Sequence, residues 1–370
     1  MEQQTRNPGP EAGTAIGYFN LARGLGMLFI VLGHSVNLFL DFAEPAGAGL
    51  FSGAGSVLGG GMMEAFFMIS GFGFFTRSFR KCRAIQCRLL LRPYAVTAAA
   101  ILATRLLLAV IKGRSFFGHS GALVPTYLLG LNAEGGGELL GIPVESVSIL
   151  WFVLALFGGW MFYNGICRLP WKRLRPWLAA GCVALGWALT LVSRVWPFCL
   201  PMALMAAGYL AAGEAVRKRG LLERELTPGQ WLALAAVVGI SAAFGGVNMV
   251  TCTWKLGLAD VAGSFAAGFL LLRLYAWFMH RERGGRLLAA VEELGFSSVW
   301  IVCLHAYEKV IFPWYRLAEW FAGNPAAGTA VCFACRCGVM YLLYRCILLT
   351  RKRWRRRTMG EKIKRRREKG

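Results

Sequence analysis

The stretch "FNLARGLGMLFIVLGHSVNLFL", residues 19–40, decides the fold class of this chain. It has about the length and apolar content that a helix needs to cross a bilayer, roughly 20 residues. Yet it carries Arg23 and His34. As a helix, the eleven-residue separation places the two side chains about 20° apart on one face and roughly 16 Å apart along the axis. Ionisable groups at such depth are expensive, and they face a bundle interior or a water-filled cavity. The segment therefore reads as an inner helix of a bundle. Arg23 falls near its cytosolic mouth, and His34 lies past the midplane.

The rest of the chain fits that reading. Of 370 residues, 56% are hydrophobic and 16% charged, with a mean hydropathy of +0.51. This is the composition of an all-α, polytopic integral membrane helix bundle rather than a soluble domain. The first 17 residues are polar, and the first apolar stretch is too long for a signal peptide and has no cleavage site, so it is expected to remain as a membrane span. Ten candidate spans follow from the apolar runs: 19–41, 57–77, 93–111, 148–166, 177–196, 198–216, 230–248, 256–278, 293–313 and 326–349. With the N-terminus inside, the cytosolic segments hold 30 Lys and Arg and the opposite loops five. That asymmetry is the positive-inside pattern and predicts that both termini are cytosolic. The expected organisation is a cytosolic segment (1–17), a membrane domain (18–350) and a basic tail (351–370), in the plasma or inner membrane of the cell.

The net charge of +22 would point to nucleic acid in a soluble protein. Here twelve Lys and Arg crowd the last twenty residues, "RKRWRRRTMGEKIKRRREKG". Such a tail reads as an anchor on anionic lipid, and no nucleic-acid partner is expected. The eleven cysteines show neither zinc nor disulfide spacing, so no metal site is expected. The longest outward loop, 112–147, contains an apolar piece too short to span, "ALVPTYLLGLN", and a run expected to be flexible, "NAEGGGELLG".

Other polar residues cluster with the first span. In the second span, "GMMEAFFMISGFGFF", Glu64 is expected at the depth of His34, either as an outer-rim residue in contact with water or as a partner that orients or charges the imidazole. Ser70 lies deeper, where Gly71 and Gly73 permit close helix approach. After this span, Arg88 and Arg92 are one helical turn apart at the cytosolic surface. Paired guanidinium groups suit phosphate, which they bind bidentately. His305 is the second histidine within a span. Arg105, Asp260, Arg273 and Arg336 also fall in spans and read only as pairing or snorkelling groups; His119 and His280 read as exposed loop residues.

Five ordered features resemble the membrane-bound acyltransferase-3 family. They are Arg23 and His34 with ten residues between them, "FFMISGF" (66–72), "RLLLRPY" (88–94), "LWFVLALF" (150–157) and "VCLHAYEKVIF" (302–312). The resemblance covers residues 18–315. Two details depart from the family pattern: Asn20 stands where Asp is usual, and Arg88 and Arg92 are four apart rather than three, with Pro93 adjacent.

The resemblance implies transfer of an acyl group, usually acetyl, from acetyl-CoA or another acyl-CoA to an envelope or secreted glycan. No permanently bound cofactor is implied. Acyl transfer to a hydroxyl needs a base and a stabiliser of developing charge. His34 is the expected base, with an acyl-histidine intermediate left open. Arg23 is expected to hold the donor or the passage toward His34, Glu64 to orient His34, and Arg88 and Arg92 to meet the CoA phosphates. Ser70, Trp151 and His305 are expected to support substrate or structure. The acceptor is a glycan or lipid-linked sugar. A secondary transporter or sugar flippase would use similar intramembrane polar groups, but the inverted repeats and paired broken helices of such proteins are not evident.

Overall fold

The computed structural model describes residues 19–40, 61–113, 115–281 and 285–367. Helices occur in each of the ten apolar stretches, though not each stretch holds one long enough to span. They are α1 (Asn20–Asn37), α2 (Met62–Phe72), α3 (Phe79–Gln86) continuing through a π turn into α4 (Arg92–Ile111), α5 (Phe116–Leu129), α6 (Trp151–Arg168), α7 (Arg175–Val192), α8 (Leu200–Lys218), α9 (Pro228–Phe244), α10 (Leu258–Arg281), α11 (Arg286–Phe296), α12 (Ser298–Ile311), α13 (Trp314–Trp320) and α14 (Pro325–Arg367). Among the described residues, six helical segments are long and apolar enough to cross a membrane. A seventh is the pair α11 and α12, bent by 80° at its break. Both α2 and α9 are apolar but shorter.

Lipid offers no hydrophobic drive for helices to associate, so close backbone approach and van der Waals contact must hold such a bundle. The α2–α8 crossing shows this. Gly71 meets the backbone of Leu210, and Gly213 meets the carbonyl of Met68, so a Cβ at either glycine would overlap the facing helix. On α1, the same relation joins Gly24 to Val291 of α11 and Gly295 of α11 to Asn20. Thus the first helix is locked against α11 beside Arg23. The buried side chains around α1, α2, α4, α6, α8 and α12 form one continuous core.

Residues 112–147 depart from the expectation in one part: the apolar piece is too short to span, as expected, but the glycine-rich run is ordered. The piece "ALVPTYLLGLN" lies largely in α5, which contains Pro125 and folds back on α4, where the Tyr94 hydroxyl donates to the Tyr127 carbonyl at 2.6 Å. The run "NAEGGGELLG" is not irregular: it forms most of a β-hairpin, β1 (Asn132–Leu139) and β2 (Ile142–Ser146). Side chains fix it from below. Asn132 accepts from the Ser146 hydroxyl at 2.5 Å and donates to the Val250 carbonyl at 2.5 Å, and Glu145 pairs with Arg105 of α4 at 2.5 Å. These contacts, supplied by distant residues, order a glycine-rich sequence that has no local preference for a strand.

Candidate functional site

Arg23 and His34 occupy one uninterrupted helix, α1, as their spacing predicts, and both are half-buried. Arg23 Nη1 donates to Asn20 Oδ1 at 3.4 Å. Asn20, one of the two departures from the resemblance, thus partners the arginine. At the other end of α1, the His34 ring lies against His305 of α12, with centroids 5.3 Å apart and planes tilted by 53°. Of the expected residues, these two histidines are the ones brought into direct contact.

Glu64 points elsewhere. It is buried on α2 against Gly268 of α10, on the side of Tyr209. The Tyr209 ring is stacked on Phe265 with centroids 4.0 Å apart, and its hydroxyl lies 2.5 Å from Ser264 Oγ. Glu64 therefore belongs to a second polar node between α2, α8 and α10. The carboxylate at the histidines is Glu308, whose Oε1 lies 2.5 Å from His305 Nδ1. Both side chains are fully buried. Glu308 follows His305 by three residues, a spacing that puts them on one helix face. That spacing was readable within "VCLHAYEKVIF", although Glu308 was not singled out there.

Two cations complete the cluster. Arg336 of α14 approaches Glu308 at 4.0 Å, and Lys309 is the next residue along α12. Both lie close enough for their charges to act on the two imidazoles. Residue Tyr307 fixes α12 to α4 through a 3.1 Å contact with the Thr104 hydroxyl.

Trp151 begins α6 and is buried against Phe67 and Phe152. It also borders a small cavity of about 10 Å³, with Asn132, Arg194, Trp196, Cys199 and Cys252 among the other walls. That is space for one water molecule. Ser70 is half-buried on α2.

At the opposite end, Arg88 sits in the π turn Cys87–Leu91, which closes with the Arg92 N–H on the Cys87 carbonyl. A π turn absorbs one extra residue in a helix and often marks a functional segment. It delivers Arg92 and Pro93 to the start of α4, where proline needs no N–H partner. Arg88 and Arg92 are both exposed, and neither has an acidic partner among the described residues. Nearby, the chain leaving α2 is fastened by the backbone N–H of Arg77 to Asn164 Oδ1 at 2.9 Å, and by Arg217 Nη2 to the Phe74 carbonyl at 2.7 Å.

The fold and this intramembrane cluster define a multi-pass membrane protein with a buried histidine site. The family model of the acyltransferase-3 family, described as an acyltransferase domain, matches residues 16–345, and the chain belongs to that family. It is accordingly an acyltransferase. No curated protein and no solved structure matches the chain.

Proposed function

We propose that this protein transfers an acyl group, acetyl being the simplest, from cytosolic acyl-CoA to a hydroxyl of an envelope or secreted glycan. The observation that carries the reading is the His34–His305–Glu308 array at one end of α1, with Arg23 roughly three turns away on the same helix. The Glu308 carboxylate fixes the His305 ring, that ring lies against the expected base His34, and no other cluster of described residues offers that combination.

In this reading His34 takes the proton from the acceptor hydroxyl as its oxygen attacks the thioester carbonyl. The carbon–sulfur bond then breaks, and the same proton passes to the departing CoA sulfur. The products are an ester and a free thiol, and the histidines end as they began. His305, held by Glu308, is the polar neighbour of His34 as that ring gains positive charge. Arg23 supports the donor on its way to His34. Arg88 and Arg92, exposed and without acidic partners, suit the phosphates of CoA. The positive-inside pattern puts them on the cytosolic side, where CoA resides.

The test is donor turnover by purified protein. Wild type should release free CoA from acetyl-CoA slowly, and faster with an acceptor glycan. His34→Ala should insert normally and lose the activity by roughly 100-fold or more, the range of a general base. A protein that moves sugar across vesicles and never releases CoA would be a transporter instead.

A further inference from the structure

Among the described residues, the bulkiest fully buried side chain is a cation, Arg336. It lies near the middle of the apolar part of α14, 325–348. Its surroundings are sparse. The guanidinium carbon sits 5.2 Å from the centre of the Trp314 ring. Its Nε is 4.0 Å from Glu308 Oε2, too long for a hydrogen bond. Arg336 Nε and Nη1, Glu308 Oε2 and His305 Nε2 are all buried and have no hydrogen-bond partner. Four such atoms in one cluster are costly, because buried polar groups are normally paired and buried charges more so.

Simple snorkelling does not account for this arginine, since its head group is enclosed. A purely structural ion pair accounts for it poorly. Such pairs close to hydrogen-bond distance, and apolar residues of similar volume often replace them at no loss of stability. The neighbouring cation, Lys309, lies within electrostatic range of two carboxylates, Glu134 of β1 and Glu308. Among the described residues, Arg336 faces Glu308 alone among acidic groups within 4.0 Å. It also lies near both histidine rings and Cys332.

We propose that Arg336 is a positioning residue of the acyl-transfer site: its permanent charge keeps Glu308 a carboxylate, and that carboxylate fixes the His305 ring beside His34. This rests on the reading of His34 as the base. An arginine does not lose its proton in a protein, so the charge opposite Glu308 is constant. Glu308 then accepts from His305 Nδ1–H, which leaves Nε2 of that ring as its open acceptor. The chain has only four histidines.

That number makes the test practical. The imidazole nitrogens of ¹⁵N-histidine-labelled full-length protein are observed by NMR in lipid nanodiscs, without substrate, and assigned with His34→Gln and His305→Gln. Wild type should show His305 as a neutral ring with its proton on Nδ1 in a strong hydrogen bond. Arg336→Met should lose that signature, and Arg336→Lys should keep it. The double variant Arg336→Met/Glu308→Leu controls for folding: it should melt like wild type, yet release CoA at least roughly tenfold more slowly. An unchanged His305 spectrum in Arg336→Met, or wild-type turnover in the double variant, would overturn the proposal. If Arg336→Met does not fold, the lysine and double variants carry the same decision. Because the spectra need no donor, an Arg336-dependent His305 in a protein that never releases CoA would sink the functional reading and leave this relation standing.

Discussion

His34 on α1 and His305 on α12 are separated by 271 positions in the sequence and by 5.3 Å between ring centres. The geometry places a second imidazole, itself held by Glu308, beside the expected base. The hydrogen bond that holds this second ring lies in a site largely shielded from water, where such contacts are stronger than at a surface.

Replacing Glu308 should separate orientation from bulk. Glu308→Gln keeps the shape and a hydrogen-bonding oxygen but removes the charge, and turnover should fall by roughly 10- to 100-fold. Donor KM should change little, because Glu308 is not in the region assigned to CoA. Steady-state kinetics on acetyl-CoA decides it; a raised donor KM with unchanged kcat would assign Glu308 to binding.

Arg23→Lys keeps the charge and loses the planar fork that Asn20 now meets. Turnover should drop by roughly tenfold or more, since an ammonium does not reproduce that geometry. Full activity at wild-type abundance would reduce Arg23 to an interfacial anchor.

Changing both Arg88 and Arg92 to Gln should raise the acetyl-CoA KM by roughly tenfold or more, as each lost charge-assisted hydrogen bond costs about 1.5–3 kcal/mol. The acceptor KM should hold. Vesicles of each orientation give both constants, and an effect confined to the acceptor would reverse the proposed direction of transfer.

Gly295→Leu should weaken the clamp that seats α1. A side chain there overlaps the Asn20 carbonyl and approaches Gly24, and overpacking of this kind costs about 1–3 kcal/mol. The melting temperature in detergent should fall by several degrees. Gly165→Ala on α6, which meets open space, should melt like wild type. Equal melting of the two variants would mean the α1–α11 crossing does not limit stability.

The features readable along the chain are local ones. Hydropathy located the six long apolar helices, because spanning a bilayer is a property of some twenty consecutive residues, but it did not show the 80° break between α11 and α12. The turn of a single helix placed Arg23 and His34 on one face of α1, because angle within a helix follows from spacing alone. The family was equally legible, since its phrases are short and ordered. What only the tertiary structure decided is who faces whom. Equal depth made Glu64 the natural partner for His34, but depth fixes height and not azimuth; Glu64 turns toward α10, and His305 with Glu308 fills the place beside His34. The same holds for the glycine-rich hairpin, ordered by Arg105 and Val250, and for Arg336, which reads as a stray cation until α14 packs it against Glu308. Neighbours between helices are set by close backbone contacts such as Gly24 on Val291 and Gly295 on Asn20, and these pair residues hundreds of positions apart whose partnership no local pattern records.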